Sequence, residues 1–113
     1  MDGDEQDETR DAFHELVNMT PAELDKWLDT DESRDAGHHQ DGGESVGHAS
    51  GRRIVGILRK KKGDLTDDDY EHMRKVVGYV RRHLAQRPSG DVRDSRWRHS
   101  LMNWGHDPLE RHG

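Results

Sequence analysis

The stretch "DLTDDDYEHMRKVVGYVRRHLAQRP", residues 64–88, leaves this chain few ways to fold. Tyr70, Met73, Val76, Val77, Val80 and Leu84 recur at three- and four-residue intervals, the spacing of one face of an α-helix. Thr66 stands where an N-cap is needed, and Asp69 follows at the capping-box position. Asp67, Asp68 and Asp69 fall in the first turn, where the helix macrodipole favours negative charge, so their presence needs no metal. Pro88 marks the end. The pattern predicts a helix over about 67–86 whose apolar stripe must be buried against other elements.

The other apolar clusters have the same period. Phe13, Leu16 and Val17 predict a helix over 9–18. "TPAELDKWL" offers Thr20 as cap, Pro21 at the first helical position, Glu23 to complete a capping box, and Leu24, Trp27 and Leu28 as stripe. A short extra turn is expected around Asp31 to Ala36, and residues 37–47, with four glycines, read as an exposed loop. Ile54, Val55, Ile57 and Leu58 share one side of a helix from about Ser50 to Lys61. Trp97, Leu101 and Trp104 mark a last helix from Asp94 or Ser95 to Trp104, closed by Gly105. No strand and no internal repeat is evident. The fold class is therefore all-α: a small single domain of about five helices, with a central helix–turn–helix-like pair at about 50–61 and 67–86. Residues 12–109 form the domain, 1–11 are an acidic tail expected to be disordered, and 110–113 are expected to fray.

Composition bears on the size of the core and on compartment. Only 28% of the 113 residues are hydrophobic and 37% are charged, so the core is thin. Without cysteine, disulfides and Cys-based zinc sites are excluded. No apolar run reaches the roughly 18 residues of a membrane helix, and "MDGDEQDETRD" does not read as a signal peptide. A cytoplasmic location with no membrane partner is expected.

Charge is unevenly divided: residues 1–50 carry −12, residues 51–87 carry +6, and residues 88–113 are neutral. On the two basic helices, Arg52, Arg53, Arg59, Lys60, Lys75 and Arg82 fall away from the apolar stripes, with Arg74 and Arg81 on the flank. Several cations on one surface are what phosphate neutralisation requires. Tyr79 is placed to stack on a base or hydrogen-bond to a phosphate, and Gly78 lets a phosphate or a partner helix come close. These nine residues, Arg52, Arg53, Arg59, Lys60, Arg74, Lys75, Tyr79, Arg81 and Arg82, are the candidate nucleic-acid contacts. The alternatives are a basic face that balances the acidic first half, or one that holds an acidic protein partner as an interaction or stress-related adaptor.

"NMTPAELDKWL", "GHASGRRIVGILRKKKGDLTDDDYEHMRKVVGYVRRHLAQRP" and "RWRHSLMNWGHDP" resemble a small domain-of-unknown-function family of bacteria, halophilic archaea and fungi. Its members are often labelled "DNA-binding protein", which implies DNA as the nucleic acid. The family supplies no catalytic residue to carry over.

Enzyme motifs fail on context. "GESVG", residues 43–47, matches a nucleophile elbow around Ser45, but no buried strand precedes it. Asp29, Asp31 and Ser33 have calcium-loop offsets, yet Arg34 and Gln40 occupy positions that need Gly and Glu. His38, His39 and His48, with Asp35, Asp41 and Glu44, could collect zinc or nickel but lack a fixed ligand spacing. His72 and His83 are expected to flank the basic surface and add charge below about pH 6.5. Asn103, His106 and Asp107 either cap the last helix or form a small recognition site. The expectation is a non-enzymatic protein without cofactor or metal.

Overall fold

The computed structural model describes residues 2–36 and 46–110. Every regular element among them is helical: α1 (Gly3–Leu16), α2 (Pro21–Leu28), α3 (Asp31–Ala36), α4 (Val46–Leu58), α5 (Asp67–Leu84) and α6 (Arg96–Asn103). A 3₁₀ turn at Lys62–Asp64 links α4 to α5. The all-α expectation holds, and the short turn after Asp31 is a helix in its own right.

Local chemistry sets most boundaries. Both expected capping boxes form: Thr20 with Glu23, at 3.0 and 3.1 Å, and Thr66 with Asp69, at 3.0 and 3.2 Å. Ser95 caps α6 by accepting from the Arg98 N–H, and Gly105 ends that region at φ +83°, where a side chain would be strained. Two boundaries move. Helix α4 starts at Val46 rather than Ser50 and ends at Leu58 rather than Lys61.

The disordered tail expected over 1–11 is, from Gly3 onward, the first turns of α1. Composition alone misses the reasons. Asp2 caps the helix by accepting from the Glu5 N–H at 2.8 Å, and Asp4 and Glu5 sit in the first turn, where the macrodipole favours them. Arg10 donates to Asp7 at 2.7 Å and to the Tyr70 hydroxyl at 3.2 Å, tying the acidic helix to α5.

Helix α1 packs mainly on α5, α2 on α4, and α3 on α6, while α6 also touches α2, α4 and α5. The expected helix–turn–helix-like packing of α4 on α5 is not a main contact of the fold: α4 packs on α2 and α6, and α5 on α1 and α6. The two basic helices meet through side chains, with Ser50 Oγ 2.9 Å from His72 Nε2 and Lys60 reaching Asp69 at 2.7 Å. The core runs from Phe13, Leu24 and Ile54 to Met73, Val76, Val80 and Leu101, all fully buried.

Asn103 is the polar centre, at 1% exposure. Its Oδ1 accepts from Trp27 Nε1 at 2.8 Å and Ser33 Oγ at 2.5 Å, and its Nδ2 donates to the Ser33 carbonyl at 2.9 Å. Helix α4 passes close by because Gly51 has no side chain. A Cβ there would stand 2.5 Å from the Asn103 carbonyl oxygen and 2.7 Å from Leu28 Cδ2.

The seam between α5 and α6 is a series of stacked rings. Trp104 lies against Tyr79 at 4.1 Å and His72 at 6.4 Å, and His83 follows between Tyr79, at 5.2 Å, and Trp97, at 6.2 Å. Adjacent rings are within 16° of parallel. Trp97 Nε1 donates to the His83 carbonyl at 2.7 Å, while His83 Nε2 is buried with no hydrogen-bond partner. Burial pushes both imidazoles below the ordinary histidine range, and Arg53 and Lys75 add to the effect at His72. They are seam residues, and they do not add charge at the pH expected of surface histidines.

Two outcomes follow from this packing. Gly51→Ala improves helix propensity but forces a methyl group into occupied space, and overpacking of this kind costs about 1–3 kcal/mol. Denaturant unfolding should show a net loss of about 1–2 kcal/mol. The second outcome concerns acid. Because His72 and His83 have depressed folded pKa values, the unfolded chain takes up protons first as pH falls through about 6.5. Melting temperature should therefore fall between pH 7 and 5, and the H72Q/H83Q double variant should flatten that part of the profile.

Candidate nucleic-acid interface

Helix α5 buries Met73, Val76 and Val80 and turns its opposite side to solvent. At 3.6 residues per turn, Gly78 falls near the middle of that side. Arg74 and Arg81 flank it toward α1, and Lys75 and Arg82 flank it on the other side. All four cations are exposed, and none forms an ion pair among the described residues. Arg82 folds back over the helix, so that its Nη1 would lie 3.1 Å from a Cβ at Gly78.

The cations of α4 and of the turn that follows it are engaged differently. Lys60 meets Asp69 at 2.7 Å and Arg53 meets the same carboxylate at 3.9 Å, while Arg59 reaches Asp25 of α2 at 3.8 Å. Asp69 is 7% exposed at its side chain and also caps α5. The Lys60 ammonium, then the Thr66 backbone N–H, hold its carboxyl below the usual carboxylate range. Arg52 is exposed on the same helix.

Two clefts relate these groups. Arg53, His72 and Lys75 line one of about 360 Å³ with Asp68 and Glu71, which brings the two basic helices together. Arg74 and Arg81 line another, of about 300 Å³, with Glu5 and Glu8 of α1. The acidic helix thus borders one flank of the basic surface and leaves the Lys75–Arg82 flank to solvent.

Tyr79 does not join the cations. It is half-buried in the α5–α6 seam and stacked on Trp104 at 4.1 Å. Its ring is a packing element, turned from the solvent face by α6. Lys61 and Lys62, by contrast, are exposed in the turn after α4 and form no ion pair among the described residues. The unbroken run "RKKK", residues 59–62, was their signal in the sequence.

The remaining candidates serve the fold. Arg98 grips Asp107 through two hydrogen bonds of 3.0 Å. Burial alone would raise the Asp107 pKa, but Arg98 and the Leu109 N–H outweigh it and hold the carboxyl down. His106 Nδ1 donates to the Leu16 carbonyl at 2.6 Å, and His48 Nε2 donates to that of Leu28 at 2.7 Å. Ser33, at a calcium-loop offset in the sequence, is buried in α3 against Asn103. His38, His39, Gln40, Asp41, Glu44 and Ser45 lie outside the described residues. Among the described residues, no three His, Asp or Glu side chains form a group able to hold a metal ion. No described helix is long and apolar enough to cross a membrane.

No curated protein and no solved structure matches the chain. A family model described as "Protein of unknown function (DUF3140)" matches residues 12–102, from the second half of α1 nearly to the end of α6. It takes in both basic helices and leaves out the acidic first turns of α1. With most of its length inside that match, the chain belongs to the DUF3140 family.

Proposed function

We propose that this chain is a non-enzymatic nucleic-acid-binding protein, with DNA as the expected ligand, that attaches to phosphates through the solvent faces of α4 and α5. One observation carries the reading: Arg74, Lys75, Arg81 and Arg82 crowd one helix face without a carboxylate partner among the described residues. Unpaired cations held on a rigid helix repel one another. Releasing the counterions condensed on a phosphate backbone is the favourable exchange open to them. Tyr79 is engaged by Trp104, so the surface offers charge with little means of reading bases.

A catalytic reading has one point of support, the 2.9 Å approach of Ser50 Oγ to His72 Nε2, which is nucleophile–base spacing. Ser50 is only 5% exposed, on the side of α4 that meets His72, and such burial does not favour it as a nucleophile.

The test is the K75A/R82A double variant. Both residues stand clear of the core, so stability should stay within about 0.5 kcal/mol of wild type. Affinity for duplexes of unrelated sequence should fall alike, and the slope of log affinity against log salt should shrink by about 2, one per lost phosphate contact. An unchanged salt slope would rule out this surface. A marked loss of stability would show instead that the cations serve the fold, and wild-type binding to an acidic peptide but not to DNA would point to a protein partner.

A further inference from the structure

Two nine-residue stretches, "RRIVGILRK" at 52–60 and "RKVVGYVRR" at 74–82, have the same pattern. Cations occupy the first two and last two positions, glycine the fifth, and apolar residues the other four. The chain therefore does contain an internal repeat, contrary to the sequence reading. It is shorter than a structural module and has meaning only once both stretches are helical.

On a helix the pattern has one geometric outcome. Ile54, Val55 and Ile57 turn inward with Leu58 packed beside them, as do Val76, Val77 and Val80 with Tyr79. The glycine turns outward, with one pair of cations about a turn before it and another about a turn after. Arg59 and Lys60 follow the last turn of α4, their N–H groups donating to the Val55 and Ile57 carbonyls.

Glycine weakens a helix interior, so two at matched positions need a reason. Packing within the chain gives none. A Cβ at Gly56 would meet nothing within 4 Å, and one at Gly78 would meet only the guanidinium at the far end of the Arg82 side chain. Gly51 shows the contrast, since a Cβ there would collide with Leu28 and Asn103. What the two outward glycines share is backbone between cations with no fixed neighbour packed on it: Gly56 is open, and Gly78 is overlain only by the Arg82 side chain, which can swing aside for close approach from outside.

The two motifs meet where Arg53 and Lys75 line one cleft. Each is about 12 Å long at 1.5 Å per residue, the rise of three to four base pairs at about 3.4 Å each. Asp68 and Glu71 in the shared cleft divide the surface into two segments. Tyr70 is buried and Tyr79 stacks on Trp104, so neither tyrosine of α5 offers a ring for unpaired bases, which single-strand binders use.

We infer that the repeated motif is a two-part phosphate track for duplex nucleic acid, each glycine being the floor on which the sugar–phosphate backbone lies between two pairs of cations. This rests on the nucleic-acid reading above and adds where the backbone lies and that it belongs to a duplex.

The experiment replaces the glycines and keeps every charge. G56Q, G78Q and the double variant are compared with wild type by anisotropy on a labelled duplex of about 30 base pairs at low salt, with melting temperatures alongside. Melting temperature should hold or rise, because glutamine is the better helix former. Affinity should fall about threefold for each single variant and about tenfold for the double. If a glutamine variant unfolds, G56A and G78A take its place, with the same opposition of higher stability and weaker binding. Wild-type affinity in the double variant would overturn the track and leave the nucleic-acid reading standing. Tenfold tighter binding of a single strand would overturn the duplex assignment. No wild-type binding to the duplex would end both, as would the same glycine dependence seen only on phosphatidylserine vesicles.

Discussion

Asn103 is the interaction on which the rest of the architecture depends. It is buried on a short helix that touches α2, α3, α4 and α5. A buried side-chain amide is costly unless its groups are paired, and here Trp27 and Ser33 pair them from two other helices. In a protein with so little apolar surface, this polar centre does what a larger core does elsewhere: it fixes which helices meet and in which register. The glycine at 51 lets α4 settle against the same point. With α4 held there, its basic face is turned outward beside that of α5.

The division of charge along the chain is therefore also a division in space, though an incomplete one. Three cations of α4 and the turn after it are met by Asp69 and Asp25, whereas those of α5 are not paired among the described residues. The acidic α1 covers the apolar flank of α5 and brings Glu5 and Glu8 to the edge of Arg74 and Arg81. Its first turns lie outside the family match. This acidity therefore tempers one flank of a surface that the family portion already builds.

Helix faces were legible because periodicity and caps are short-range. Thr66 with Asp69, Thr20 with Glu23, and the valine stripe of α5 each declare themselves within a few residues. What was not legible depended on partners distant in sequence. Tyr79 looks exposed when α5 is drawn alone, because it lies away from the apolar stripe of Met73, Val76, Val77 and Val80. Only Trp104, twenty-five positions on, turns it inward. Asn103 reads equally well as a cap, and its role as a centre depends on Trp27 and Ser33, far earlier in the chain. Residues 3–11 read as tail since their acids hide an N-cap and an arginine whose partner is Tyr70. The repeated cation–glycine motif lay in plain sight, but its glycines gain significance only from what does not surround them.

The fold also fastens the segment after α1 to the segment after α6. Asn18 and Asp107 exchange two hydrogen bonds, of 2.9 and 2.8 Å, while Met19 donates to the Gly105 carbonyl and His106 to that of Leu16. These contacts join residues about ninety positions apart, and such loops are slow to close. During synthesis, α1 and α2 emerge long before the segment that holds them. They must wait, with Phe13 and Leu24 incompletely covered, until the ribosome has delivered the segment that carries Gly105, His106 and Asp107. The native fold is completed only once the segment after α6 has emerged and closed on the segment after α1.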